Sequence, residues 1–124
     1  MVALDKLDIV AVDDDVGIRW TLEHIFDLGG YNYQITGDCL EGLQLIQKHN
    51  PSVVLLDYRI GAMSGMDVLK GIQEMAVECK VLFLSGYACD LRSEVCDAPE
   101  VAGVIDKPFD VDNLLAEIDS ILHR

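Results

Sequence analysis

The sequence predicts an α/β protein, a single doubly wound five-stranded parallel sheet with five helices. Three observations lead there. Short apolar runs, of the kind that form strands buried on both faces, alternate with segments whose apolar residues recur at three- and four-residue spacing. Four of the five runs close on a polar residue, as strands do where an open parallel sheet carries its functional groups. The chain has 124 residues, 51% of them apolar and 25% charged. That suits one domain with a core large enough to need no metal or disulfide staple.

Ile9-Val10-Ala11-Val12 is the first buried strand, stopped by Asp13-Asp14-Asp15. Ile18, Leu22, Ile25 and Phe26 form the apolar stripe of a helix that Gly29-Gly30 ends. Residues 33–36 are the least marked strand. Leu40, Leu43 and Ile46 mark a second helix, stopped near Asn50-Pro51. Val53-Val54-Leu55-Leu56 is the clearest strand and ends at Asp57. After a loop containing Gly61 and Gly65, Ser64 and Asp67 resemble a capping box that opens a helix through Leu69, Ile72 and Met75. Met63 and Met66 are expected to pack that helix. Val81-Leu82-Phe83-Leu84 is a strand ending at Ser85. Residues 88–98 make a poor helix, closed by Pro99. Val101 to Ile105 is the last strand, followed by Lys107-Pro108. Asp110 then caps a helix carrying Leu114, Leu115, Ile118, Ile121 and Leu122. Strands and helices in strict alternation imply parallel pairing through right-handed crossovers. Residues 1–124 are expected to form one domain, with no output domain in this chain.

Nine Lys and Arg against 22 Asp and Glu give a net charge of −13. Nucleic acid and anionic membrane surfaces are therefore poor partners, whereas divalent cations and basic protein surfaces are suitable ones. No apolar run approaches the length of a membrane span, and the N-terminus lacks a secretory pattern, so a cytoplasmic protein is expected. Cys39, Cys79, Cys89 and Cys96 form no CxxC pair and have no His at zinc spacing, which predicts free thiols packed as small apolar groups.

At the strand ends stand Asp13, Asp14 and Asp15, then Asp57, then Ser85, then Lys107. Parallel pairing brings these sequence-distant residues to one edge. Three carboxylates gathered there repel one another by about 4 kcal/mol per pair at 4 Å and an effective dielectric of 20. A divalent cation relieves that repulsion, and an all-oxygen ligand set favours Mg²⁺, which often bridges to phosphate. Lys107 adds a point charge and Ser85 a hydroxyl, both suited to phosphate oxygens. The set describes a phosphoryl-transfer site whose nucleophile is a carboxylate, so that the protein itself becomes an aspartyl phosphate.

Val12-Asp13-Asp14-Asp15, the Val-Val-Leu-Leu-Asp run ending at Asp57, Leu84-Ser85-Gly86 and Lys107-Pro108-Phe109 resemble the CheY-like receiver domain of two-component response regulators over essentially the whole chain. The opening from Val12 to Trp20 looks most like nitrogen-regulator-type receivers and the sporulation phosphorelay receiver. The resemblance implies that Asp57 is the phosphoacceptor. It implies that Asp14 and Asp57 bind Mg²⁺ directly, Asp13 directly or through water, and that the Arg59 carbonyl supplies a further ligand. Ser85 would be the switch hydroxyl, Lys107 the phosphate-pairing cation and the Gly86 N–H a further phosphate donor. The implied partners are a histidine kinase or a histidine phosphotransfer protein as phosphohistidine donor, and a downstream protein target.

Three positions depart from the family pattern. Gly61 replaces a usual proline, so the loop after Asp57 is expected to be more mobile. Val104 stands at the aromatic switch position, so an aromatic flip cannot be the readout. Pro99 predicts a short or displaced fourth helix. Arg59 and Tyr87, both large, stand two residues after Asp57 and Ser85 and predict slow loss of the phosphoryl group. Trp20 and Phe26 divide between the core and a partner-docking face, and Arg19 reads as a docking or solvated charge. A flavin module is excluded because Asp13-Asp14-Asp15 would repel the flavin phosphate. A phosphatase is excluded because Asp-x-Asp-x-Thr is missing. The alternatives that stay open are the N-terminal receiver fragment of a larger regulator and a receiver fold used unphosphorylated for binding.

Overall fold

The computed structural model describes residues 6–60, 63–75, 77–86, 88–95 and 97–123, without the side chains of residues 88–90. Gly61, Tyr87 and Cys96, and the side chain of Cys89, lie outside the described residues. In chain order the elements are β1 (Ile9–Val12), α1 (Val16–Gly29), β2 (Tyr33–Thr36), α2 (Cys39–His49), β3 (Val53–Asp57), β4 (Arg59–Ile60), β5 (Met63–Ser64), α3 (Gly65–Glu74), β6 (Lys80–Ser85), α4 (Ala88–Val95), β7 (Val101–Asp106) and α5 (Val111–Leu122). Five strands form one sheet in the order β2-β1-β3-β6-β7, every pair parallel. The chain starts at β1, moves outward to β2, then crosses to β3 and continues the other way. The topological switch point therefore lies between β1 and β3, where open α/β sheets carry their sites.

Period-two alternation sorts the strand residues between two faces. Ile9, Ala11, Val53, Leu55, Leu82 and Leu84 pack with Leu22, Ile25 and Phe26 of α1 and Leu114, Ile118 and Ile121 of α5. Val10, Val12, Val54, Leu56, Val81 and Phe83 pack with Ile46 of α2, Val68, Leu69 and Ile72 of α3, and Leu91 and Val95 of α4. The central strand β3 is buried over all five residues, as its unbroken apolar run requires.

Local chemistry sets the helix ends. The Ile18 N–H donates to the Asp15 carboxylate at 3.1 Å to open α1, and Gly30 closes it in the left-handed region at φ 72°. The Glu41 N–H donates to Asp38 at 2.8 Å to open α2, and Asn50 closes it at φ 43°. The Ser64–Asp67 capping box opens α3, with the Ser64 N–H donating to Asp67 at 3.0 Å. Asp110 occupies the N-cap position of α5 without a side-chain cap bond.

Four details differ from the sequence reading. Leu40 is 63% exposed, and the face α2 buries is Cys39, Gly42 and Ile46. Gly42 sets that rotation, because a Cβ there would stand 2.6 Å from Val12 Cγ2, so the bare backbone lies directly on β1. The loop after Asp57 holds a two-stranded antiparallel ribbon, β4–β5, too short to leave a periodic signal. Gly65 belongs to α3 and not to that loop. On the far side, β7 pairs Val81 with Val101 and Leu82 with Gly103, leaving Ala102 as an extra, bulged residue.

Gly65 ties α3 to the end of β3. Its N–H donates to the Tyr58 carbonyl at 2.7 Å, and a Cβ would stand 2.7 Å from both the Asp57 carbonyl oxygen and the Phe83 ring. Alanine ordinarily gains helix stability over glycine, by about 1 kcal/mol. Here overpacking against backbone outweighs that gain, so Gly65→Ala is expected to lose roughly 1–3 kcal/mol. Urea unfolding followed by circular dichroism measures the difference.

Candidate phosphoacceptor site

One step beyond the paired residues Val12 and Leu56, β1 and β3 deliver Asp13 and Asp57 side by side at the carboxyl edge of the sheet. Asp14, the next residue of the loop, is exposed. Carboxylate oxygens of Asp13, Asp14 and Asp57 all lie within 4.8 Å of one another. Asp13 is 1% exposed and Asp57 9%, so two of the three charges have little access to water.

Lys107 enters from the loop after β7. Its Nζ donates to Asp57 Oδ1 at 2.9 Å and to Asp13 Oδ2 at 3.2 Å, so one ammonium bridges both buried carboxylates. The Lys107 N–H donates to the Ser85 carbonyl at 2.9 Å, which pins that loop to the end of β6, and a cis peptide joins Lys107 to Pro108. Ser85 is 3% exposed and pairs with Asp106 at the same edge. Gly86 follows in an exposed turn with open space where a Cβ would stand.

Burial pushes the Asp13 carboxyl above its ordinary range; Asp57 raises it further, while the Asp15 N–H and Lys107 oppose the shift. Burial pulls the Lys107 ammonium down, but its hydrogen bond to Asp57 and the charges of Asp13 and Asp57 more than reverse this, leaving it above its ordinary value. Three carboxylates facing one ammonium leave a local surplus of negative charge. Carboxylate oxygens are hard donors, and a partly exposed cluster of this kind fits a small divalent cation that keeps some of its water.

The other residues singled out in the sequence fall on different surfaces. Arg59 is in β4 with an exposed side chain. Trp20 is 65% exposed, its ring edge-on to His24 at 4.9 Å, whereas Phe26 is fully buried. Met63 and Met66 pack against the core cluster that holds α3. Val104 is buried, and the Arg92 guanidinium donates to its carbonyl at 2.8 Å while lying 3.7 Å from Asp106. Arg19 is corrected: its Nη1 donates to the Asp13 carbonyl at 2.9 Å, so it belongs to the acidic loop and is not a solvated charge. Neither arginine contact has a sequence signature, because each ends on a backbone carbonyl. Among the described residues no helix is long and apolar enough to cross a membrane.

A doubly wound sheet carrying carboxylates at its switch point and a lysine after its last strand defines the receiver class. A family model for the response regulator receiver domain matches residues 9–119, and the chain belongs to that family. It is a receiver domain of the two-component and phosphorelay response regulators. It is 31% identical over 107 residues to the sporulation initiation phosphotransferase F of Bacillus subtilis, covering 86% of each chain. It is 29% identical to the response regulator MprA of Mycobacterium leprae, covering 94% of this chain but 51% of that one, so it spans about half of that regulator's length. The receiver domain (CheY-like) structure from Methanospirillum hungatei superimposes with a TM-score of 0.85 at 26% identity, covering 95% of this chain and 94% of that one. Receiver domains generally bind Mg²⁺ in an acidic pocket, the place Asp13, Asp14 and Asp57 occupy here.

The raised pKa of Asp13 has a consequence for stability. In the folded state this group keeps its proton to higher pH than in the unfolded chain. Its ionisation therefore costs stability as pH rises from about 4, the unfolded value, through the raised folded value. Asp13→Asn, measured in EDTA, is expected to raise the urea midpoint at neutral pH, and the gain is expected to shrink towards pH 4. Added Mg²⁺ is expected to stabilise the parent more than this variant.

Proposed function

We propose that residues 1–124 act as one receiver unit that accepts a phosphoryl group from phosphohistidine onto Asp57, in a reaction that needs Mg²⁺. The observation that carries the reading is the Lys107 ammonium shared between Asp13 and Asp57 inside a cluster of three carboxylates. Asp57 offers a carboxylate nucleophile at the end of a strand buried along its whole length. Asp13, Asp14 and Asp57, with the Arg59 carbonyl, would hold the cation. When bound, Mg²⁺ neutralises charge on phosphoryl oxygens. Lys107 would exchange its carboxylate partners for a phosphoryl oxygen, while the Ser85 hydroxyl and the Gly86 N–H complete the cradle. Transfer breaks the N–P bond of the donor and forms an O–P bond to Asp57, and the freed imidazole takes a proton from solvent.

The donor would be a histidine kinase or a histidine phosphotransfer protein. Similarity to the sporulation phosphotransferase supports a domain that works through protein contacts. The activity would be confined to its own phosphorylation and slow dephosphorylation, in the cytoplasm.

Incubation with acetyl phosphate, with and without Mg²⁺, followed by intact-mass measurement tests the reading. A Mg²⁺-dependent gain of about 80 Da, the mass of one phosphoryl group, is expected for the parent and not for Asp57→Ala. No gain from acetyl phosphate or from a phosphohistidine donor would overturn it.

A further inference from the structure

Four backbone groups of the turn from Asp13 to Asp15 have defined partners. The Asp13 N–H donates to the Thr36 carbonyl at 3.0 Å, and the Asp15 N–H donates to Asp13 Oδ1 at 2.9 Å. The Asp15 carbonyl accepts the Arg19 N–H at 3.0 Å. The fourth is the Asp13 carbonyl, which accepts the Arg19 guanidinium at 2.9 Å. That carbonyl belongs to the planar peptide whose N–H is that of Asp14. Holding it sets the rotation of the peptide between two of the three clustered carboxylates.

The guanidinium also needs room. Gly37, just past the end of β2, lies against it: a Cβ there would press on Arg19 Nη1 and stand 3.1 Å from Arg19 Cζ. The same Cβ would stand 3.5 Å from the Asp13 carbonyl oxygen, an ordinary contact. Gly37 is not in the left-handed region, so its backbone does not itself require glycine. The missing side chain serves as the seat of the arginine.

We infer that Arg19 is the positioning residue of the acidic loop, and that Gly37 is bare in order to seat it. Arg19 touches no reacting atom; it acts by aiming Asp13 and Asp14. The inference rests on the reading of Asp13, Asp14 and Asp57 as the cation and phosphoacceptor site. Its sign separates it from plain electrostatics. Removing a positive charge beside an acidic cluster by itself strengthens cation binding, whereas losing the aim of two ligands weakens it.

The experiment is an Mg²⁺ titration followed through the backbone amide resonances of Asp14 and Asp15, run beside the acetyl phosphate assay. The proteins are the parent, Arg19→Ala, Arg19→Lys, Gly37→Ala and the Arg19→Ala, Gly37→Ala double variant. Arg19→Ala is expected to weaken Mg²⁺ binding by about tenfold, the lower end for a lost ligand-orienting contact. Gly37→Ala, which keeps every charge, is expected to weaken it similarly by displacing the guanidinium. The double variant is expected to match Arg19→Ala alone, and Arg19→Lys to recover part of the loss through a single donor. Tighter or unchanged binding in Arg19→Ala would overturn the inference, as would parent-like binding in Gly37→Ala. A parent that neither binds Mg²⁺ nor gains a phosphoryl group would instead overturn the functional reading on which the inference stands.

Discussion

The contact between the Lys107 ammonium and the carboxylates of Asp13 and Asp57 is the one on which the rest of this structure depends. Two buried carboxylates cannot sit side by side without a compensating charge, and among the described residues Lys107 is the cation that reaches both. It is separated from them by 94 and 50 residues of sequence. The contact therefore exists only when β1, β3 and β7 lie parallel in one sheet, with β6 between the last two. The site is in this sense a product of the whole sheet, and the two core layers are what hold the sheet in that arrangement. Even the interior glycines serve it: Gly42 lets α2 close onto β1, and Gly65 lets α3 close onto the end of β3.

The sheet was legible because buried parallel strands are written as unbroken apolar runs, and Val53 to Leu56 could hardly be anything else. The convergence of Asp13, Asp14, Asp57, Ser85 and Lys107 followed from topology alone, since parallel strands put all their carboxyl ends at one edge. The turn chemistry at Ser64 and Asn50 was readable because capping is local. What escaped was rotation and reach. The sequence of α2 gave no sign that Gly42 would turn Leu40 outward. The ribbon β4–β5 has two residues in each strand, below the length at which alternation can be seen. Arg19 and Arg92 were invisible as structural residues because each binds a backbone carbonyl, and a carbonyl carries no residue identity.

Arg92 ties two elements together. Val104 fills the position where an aromatic ring would be expected, and it is buried. The Arg92 guanidinium lies across its carbonyl and beside Asp106, one residue before Lys107. This joins α4 to the same end of β7 that positions the lysine.

The bulge at Ala102 has a separate consequence, for the behaviour of the molecule in concentrated solution. An open sheet leaves two strands with one unpaired side, and such edges invite another chain to add itself. Here β2 is only four residues long, and β7 is kinked by its extra residue. With a net charge of −13, two molecules meeting edge to edge would also repel. Irregularity and charge together oppose edge-to-edge growth of this all-parallel sheet.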